Sequence, residues 1–289
     1  MKNNFTPKVL VLGATGMLGR IIYKYLRIKN KNIFGTSRNK KNKRFIYLKV
    51  NNNTSLENIF IKNKFEYVVN CIGALEGSGA SKLSRLNIKL PKKILKASRK
   101  YGFKIIHIST DAVFDKEKED ADETTIPNAK DPYGKSKLNG ELLENSINIR
   151  TSIIGLDPID HKGILEYVLQ NRDKKIIGFE NQIWTGSTAL QLAKFIEWII
   201  SKNNFDNLYK KTKIIHFPPL GPTTKYEIIK TFAKLNGLSN VKKGNGQKII
   251  RMLFTRYFDE IKLGNYSGNL EKEIKKLIEF EKIYAKKIK

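Results

Sequence analysis

Short apolar runs alternate with stretches of helical spacing through the first half of this chain. Residues 8–12, 32–35, 45–50, 66–70, 103–109 and 147–152 each make a run of strand length. Between most of them apolar positions fall three and four apart, as over residues 17–26, which predicts helices. Strands alternating with helices predict an α/β fold built on a doubly wound parallel sheet, covered on both faces. After Gly155 the rhythm changes. Leu156-Asp157-Pro158 breaks the chain, residues 163–171 read as a short helix, and helix 188–200 with strand 213–217 is expected to return to the main sheet. Pro218-Pro219-Leu220-Gly221-Pro222 is a second break, followed by a helix over 225–236, a flexible loop over 242–248 and a charged amphipathic helix over 269–289. The expected organisation is a doubly wound domain over 1–155, completed by about 187–217, with a smaller C-terminal cap from 156–186 and 218–289.

Chemistry enters at the end of the first run. Val11-Leu12-Gly13-Ala14-Thr15-Gly16-Met17-Leu18-Gly19 sets three glycines at Gly-x-x-Gly-x-x-Gly between a strand and a helix. Such a turn aims backbone N–H groups and the helix dipole at a pyrophosphate, and missing side chains permit close approach. Glycines alone also make ordinary turns, so the placement carries the inference. Gly13, Thr15, Gly16, Met17, Leu18 and Gly19 are therefore expected to line a dinucleotide. The next run ends in Thr36-Ser37-Arg38, with no carboxylate to accept from a free adenosine ribose. The planar charged fork of Arg38 suits a 2′-phosphate, so NADP(H) is preferred over NAD(H). Lys40, Lys41 and Lys43 add little in a chain that is basic throughout.

Tyr133 and Lys137 lie four apart on an expected helix that opens on Pro132, with Asp131 as its cap. That spacing sets an ammonium beneath a phenol and favours the ionised form, lowering the phenol from its usual value near 10 toward neutrality. The phenol then serves as acid for a carbonyl being reduced or base for an alcohol being oxidised. The spacing alone is cheap, since Tyr23 and Arg27 nearly repeat it. Upstream, the run over 103–109 continues into Ser109-Thr110-Asp111, at the strand end that faces a ligand crevice in such sheets. A hydroxyl there can bond a carbonyl oxygen, and a carboxylate can bond a sugar hydroxyl or orient water; a helix cap after a strand is the plainer reading.

With Asn70-Cys71-Ile72-Gly73-Ala74 and Asn87 added, these segments resemble the extended short-chain dehydrogenase/reductases in order and spacing. Ser109-Thr110-Asp111-Ala112-Val113-Phe114, Pro132-Tyr133-Gly134-Lys135-Ser136-Lys137-Leu138-Asn139-Gly140-Glu141 and Ile149-Arg150-Thr151-Ser152 are similar to the dTDP-4-dehydrorhamnose reductase branch. The similarity runs from about residue 8 to residue 235 and weakens toward the C-terminus. It implies catalytic roles for Thr110, Tyr133 and Lys137, with Asn87 helping to place the lysine. It also implies a cofactor surface from Cys71, Ile72, Gly73, Ser109, Tyr133 and Lys137, and an adenine end near Val50 and Asn51, where the family usually has Asp. Asp111, Thr151 and Trp184 would face the substrate, Trp184 either stacking on it or packing within the cap. The implied reaction is NADPH-dependent reduction of a nucleotide-linked 4-keto-6-deoxyhexose for surface-polysaccharide synthesis, with Tyr133 protonating the oxygen, Lys137 holding the nicotinamide ribose and Thr110 polarising the carbonyl.

Related reactions leave different marks. The family's 4,6-dehydratases place an acidic residue after the Thr-Asp pair, where this chain has Ala112. Its epimerase-reductases use a Cys and a His beside the sugar. Here Cys71 reads as a small core or cofactor-lining residue, His107 as packed, and His161 and His216 as surface or pocket residues. A sugar-nucleotide epimerase or epimerase-reductase and a non-catalytic NADP-binding regulatory subunit remain as alternatives, the intact Thr110, Tyr133 and Lys137 arguing against the idle one.

Composition changes this picture only at its edges. A formal charge of +28 from 55 basic and 27 acidic residues raises nucleic-acid binding, but the lysines are scattered and no basic-aromatic recognition module is visible. Weak retention on polyanions and attraction of anionic substrates are the expected consequences. One cysteine excludes an internal disulfide framework, and no spacing of metal ligands appears. With no hydrophobic leader and no apolar run of membrane length, a cytoplasmic protein is expected, with a homodimer through helices flanking the sheet as an open alternative to a monomer. The terminal helix is expected to pack on the cap with its lysines solvated, rather than on an anionic membrane.

Overall fold

The computed structural model describes residues 6–50, 53–157, 159–263 and 266–286. Among the described residues fourteen strands run, in chain order, β1 Val9–Leu12, β2 Ile33–Ser37, β3 Ile46–Tyr47, β4 Tyr67–Asn70, β5 Lys104–Ile108, β6 Glu117–Ala121, β7 Ser146–Arg150, β8 Ile153–Ile154, β9 Ile176–Phe179, β10 Gln182–Thr188, β11 Ile214–His216, β12 Leu220–Thr224, β13 Val241–Gly244 and β14 Ile249–Leu253. Seven form one parallel sheet in the order β11-β7-β5-β4-β1-β2-β3. The chain leaves β1 toward β2 and β3, then crosses back to β4 and proceeds the other way. The reversal lies between β1 and β4, and a crevice opens at such a switch beyond the carboxyl ends of the strands.

The sheet is buried on both faces because its strands are apolar on both. Val9 and Val11 face one core with Tyr67, Val69, Ile106, Ile21 and Ile22, while Leu10 and Leu12 face another with Val68, Ile105, Phe60 and Ile94. Each such side chain contributes about 1.5–3 kcal/mol on burial. The first face is covered by the helices Met17–Lys29 and Ala189–Ile200, the latter opened by a reciprocal cap between Thr188 and Gln191.

A second sheet runs β12-β10-β14-β6 with β8 beside β10, and β13 pairs with β9. Here the structure departs from expectation twice. Residues 242–248, read as a flexible loop, contribute to β13, and β14 begins directly after them. The lysines of Val241-Lys242-Lys243-Gly244 show no alternation, yet Gly244 lets the backbone close on β9, where a Cβ would lie 2.6 Å from Ile177 Cγ2. Glu117–Ala121, within the segment assigned to the first domain, instead extends the second sheet. The terminal helix Leu270–Lys286 buries Ile274, Leu277 and Ile278 in the main core, so its apolar stripe is used in packing. Asn51, expected near an adenine ring, lies outside the described residues. Among the described residues no helix is long and apolar enough to cross a membrane, and no group of His, Cys, Asp or Glu is arranged to hold a metal.

Candidate active site

The three glycines of the first turn do three different things. Gly13 sits at φ +78°, its N–H donating to Thr36 Oγ1 at 3.0 Å, which ties the turn to β2. A Cβ on Gly19 would lie 2.2 Å from the Gly13 carbonyl oxygen, so the helix packs on the turn only because that side chain is missing. Gly16 is exposed at the helix N-terminus, with no side-chain cap, and a Cβ there would meet nothing nearer than 3.6 Å. Thr15 is half-buried beside it. The Leu18 side chain joins the core, and a Cβ on Gly155 would lie 2.7 Å from Met17 Sδ. Arg38 is exposed immediately after β2. Across the switch point, Ile72 packs over Gly13 and Gly73 is open to solvent. Burial pushes the Cys71 thiol up to about 12, which suits a lining residue and not a nucleophile.

Thr110 follows β5 and caps the short 3-10 turn Asp111–Val113, its Oγ1 accepting from the Ala112 N–H at 3.2 Å and donating to Asp111 Oδ1 at 3.0 Å. The same hydroxyl is near enough to the Tyr133 phenol to favour its ionised form. Asp131 caps the helix Pro132–Leu138 through the Gly134 N–H at 2.8 Å, so Tyr133 and Lys137 share one helix. Lys137 Nζ donates to the Ile108 carbonyl at 2.6 Å and lies 3.9 Å from where a Gly73 Cβ would be, bridging the ends of β4 and β5. Asn87, in the π-helical turn Ser84–Lys89, accepts from the Ala74 N–H at 2.7 Å and donates to Ser136 Oγ at 2.9 Å. It thereby fixes the loop after β4 to the Tyr133 helix.

The electrostatics reverse one expectation. Burial pushes the Tyr133 phenol up to about 12, against the lowering influence of Thr110, and the Asp111 and Glu76 carboxylates push the same way as burial. Burial also pulls Lys137 down to about 8. In this pocket desolvation outweighs the attraction expected between phenolate and ammonium. The phenol therefore keeps its proton at neutral pH, as an unshifted tyrosine also would, and burial makes that proton harder to give up.

Several side chains assigned to ligands are engaged within the protein. Ser109 Oγ donates to Glu141 Oε1 at 2.6 Å, and the buried Thr151 hydroxyl donates to the Phe217 carbonyl at 2.8 Å. Trp184 is only 7% exposed and joins the main core, because Gly186 leaves room for its ring to fold onto its own strand. Asp111 is buried, and burial raises its carboxyl while the Arg251 charge lowers it.

Arg251 is one of the residues that sequence reasoning missed. It lies on β14, mostly buried, with NH2 3.6 Å from Asp131 Oδ2, Nε without a partner, and a charge felt by Tyr133 and Asp111. Lys225, whose titration burial lowers, faces Glu76, Arg251 and Asp111. The second sheet and the helix after β12 thus bring two cations to the phenol and carboxylate at the end of β5. No spacing marks such an encounter. Glu141 was legible in principle, four residues beyond Lys137.

Comparison with known proteins gives relatives in sequence and in fold. Methionine adenosyltransferase 2 subunit beta of Bos taurus is 30% identical over 146 residues, 48% of this chain and 44% of that protein. The Xenopus tropicalis counterpart is 28% identical over 138 residues, 46% of this chain and 41% of its own length, so less than half of these relatives is matched. In fold, the chain is similar to a dTDP-4-dehydrorhamnose reductase from Clostridium acetobutylicum at TM-score 0.74 and 22% identity, over 95% of this chain and 99% of that one. A dTDP-4-dehydrorhamnose reductase of Bacillus anthracis in complex with NADP gives TM-score 0.73 at 17% identity, over 95% and 99%. Residues 9–166, more than half of the chain, match the model of the NAD dependent epimerase/dehydratase family, and the chain belongs to that family.

Proposed function

We propose that this protein is an NADPH-dependent reductase of a nucleotide-linked 4-keto-6-deoxyhexose, in surface-polysaccharide precursor synthesis. The observation that carries the reading is the union, at one crevice, of a protonated phenol beside Thr110 with a buried ammonium that bridges two strand ends. The crevice fits a dinucleotide: the exposed Gly16 leaves an open helix N-terminus, and Gly73 leaves open backbone above Lys137. Gly13, Thr15 and Gly16 would hold the pyrophosphate, Ile72 and Gly73 the nicotinamide side, and Lys137 the ribose. Arg38, exposed where the chain has no carboxylate for the ribose, supports NADP(H) over NAD(H). When bound, the cofactor supplies the hydride that reduces the sugar carbonyl.

This chain's own residues do the rest. The Thr110 hydroxyl turns its proton from Asp111 Oδ1 to the carbonyl oxygen, Tyr133 delivers its own proton there, and the Lys137 ammonium stabilises the phenolate left behind. Asp111 sits one residue from Thr110, in place to accept from a sugar hydroxyl. Arg251 and Lys225 support an anionic substrate, such as one carrying a diphosphate. The test is NADPH oxidation, followed by absorbance, against a panel of 4-keto-6-deoxy sugar nucleotides, with NADH in parallel. Turnover faster with NADPH is expected on at least one member; silence across the panel with NADPH still bound overturns the reading.

The identity with methionine adenosyltransferase 2 subunit beta favours a second reading, an NADP-binding subunit without turnover. Retained NADPH affinity without activity on the panel is the result that supports it.

A further inference from the structure

Beside the groups assigned to catalysis lies a buried ion pair. Arg150 and Glu141 are 2% and 5% exposed, and the guanidinium grips the carboxylate by two bonds, Nε to Oε1 and NH2 to Oε2, each 2.8 Å. Removing two charges from water is rarely repaid in stability, so what such a pair touches is informative. Glu141 Oε1 also accepts the Ser109 hydroxyl at 2.6 Å, while Lys137 Nζ donates to the Ile108 carbonyl at 2.6 Å. Carboxylate and ammonium therefore hold the two residues of a single peptide link, Ile108–Ser109, the last before Thr110.

The carboxylate is itself held from behind. Arg150 lies over the Phe114 ring at 5.4 Å, and its NH1 is 3.4 Å from His216 Nε2. His216 Nδ1 faces two acceptors, the Ala121 carbonyl at 3.1 Å and the Phe254 carbonyl at 3.0 Å. The imidazole proton therefore resides on Nδ1, and Nε2 accepts from Arg150. The Glu141 side chain is thus fixed from the β5 end and from the second sheet at once.

We propose that Glu141 is a positioning residue of the active site: by holding Ser109, beside the grip of Lys137 on Ile108, it sets the Ile108–Ser109 peptide that presents Thr110 to Tyr133. The inference rests on the reductase reading for its kinetic consequence, but not for its structural one. The helix bearing Tyr133 and Lys137 has only seven residues and ends at Leu138. So short a helix does not place its last charged side chain unaided. Restraint comes from outside it, through Asn87 on Ser136 and through the turn at Gly140, where a Cβ would lie 1.8 Å from the Asn87 carbonyl oxygen. That close approach returns the chain so that Glu141 faces the sheet end.

Charge follows from the same placement. The acidic groups acting on Lys137 are Glu141 and Cys71, and burial pushes the Cys71 thiol up to about 12, so it is neutral at neutral pH. Burial likewise holds the nearby His107 neutral, well below the usual imidazole range, and pushes the Tyr133 phenol up to about 12. Arg150 is the cation paired with Glu141, and the His216 imidazole behind it, with one proton on Nδ1, is neutral. The Glu141 carboxylate is then what favours the ammonium form of Lys137 against desolvation.

The test is a titration of the lysine side chains by NMR on uniformly lysine-labelled full-length protein, with the Lys137 signal assigned by its loss in Lys137→Arg. Glu141→Gln is expected to lower the Lys137 midpoint by about one pH unit and the reductase kcat by about tenfold or more. Glu141→Asp is expected to restore part of both. Ser109→Ala, which leaves the charges in place, is expected to lower kcat while the Lys137 midpoint and KM stay as in the wild type. A Lys137 midpoint in Glu141→Gln equal to the wild type overturns the proposal, whether or not a substrate has been found. A shifted midpoint in a protein that turns over no keto-sugar leaves Glu141 in place and removes the reductase reading instead. If Glu141→Gln does not fold because Arg150 is left unpaired, Glu141→Gln with Arg150→Met leaves no unpaired guanidinium and decides by the same comparison.

Discussion

Tyr133 and Lys137 depart from their usual titration in opposite directions, the phenol pushed up to about 12 and the amine pulled down to about 8. Tyr133→Phe removes the proton and leaves the ring, so we expect reduction to fall about a hundredfold or more with NADPH affinity unchanged. Wild-type turnover in that variant, measured by NADPH oxidation, removes Tyr133 as proton donor. Lys137 carries a stability consequence as well. Its folded value near 8 lies below the ordinary 10.5, so between those two values the unfolded chain binds more protons and stability rises with pH. Below pH 8 the full penalty is present, about 3 kcal/mol by the size of the shift. Lys137→Met, which also loses the bond to Ile108, should therefore raise stability at neutral pH by about 1–3 kcal/mol while abolishing reduction. Thermal unfolding should show the gain shrinking as pH rises toward 10.5; a destabilised variant at neutral pH contradicts the assignment of a charge held at cost. The roles of Tyr133, Lys137 and Thr110 were legible because hydroxyl, phenol and amine recur at fixed spacing. The direction of the phenol's shift was not, since spacing shows the ammonium but not the burial that outweighs it.

At the scale of elements, the glycine turn separates packing from binding. A Cβ at Gly19 would overlap the Gly13 carbonyl at 2.2 Å, backbone against backbone, whereas one at Gly16 finds its nearest neighbour at 3.6 Å. Gly19→Ala should cost about 1–3 kcal/mol of stability and weaken NADPH binding with it. Gly16→Ala should leave stability within about 0.5 kcal/mol, yet lower NADPH affinity, because its methyl enters the space that a pyrophosphate needs. Chemical denaturation paired with NADPH titration checks both; equal losses of stability in the two variants would sink the distinction. The strands of the main sheet were legible because runs such as Val9–Leu12 are apolar on both faces. β6 and β13 were not, for Glu117-Lys118-Glu119-Asp120 and Lys242-Lys243 are polar and take their pairing from β14 and β9. Lys8 and Glu66, by contrast, flank apolar strands and mark their starts.

Over the whole molecule, the order of seven strands and the meeting of Arg251 with the β5 end arise from contacts between segments far apart in the chain, which no local pattern encodes. One such contact joins the two ends of the protein. Arg20, on the helix of the glycine turn, grips Glu281 on the terminal helix with both NH1 and NH2, and NH2 also donates to the Leu156 carbonyl at 3.1 Å. Lys24 adds a second cation to Glu281 at 3.8 Å. The cofactor helix, the terminal helix and the segment after β8 therefore converge on one guanidinium, whose side chain and Glu281's are 15% and 11% exposed. A pair so shielded is weakly screened, unlike the exposed Arg99–Glu144 pair on the surface. With 55 basic residues against 27 acidic, losing this carboxylate also leaves Arg20 and Lys24 to repel each other without compensation. Glu281→Ala should thus destabilise the protein by about 2 kcal/mol, with Glu281→Gln losing less because an amide oxygen can still accept from Arg20. Glu144→Ala should shift the unfolding midpoint little. Thermal unfolding at low and high salt decides the matter: a Glu281→Ala midpoint equal to that of Glu144→Ala would show that the terminal helix is held by its buried Ile274, Leu277 and Ile278 alone, and that the tie to the cofactor helix contributes nothing.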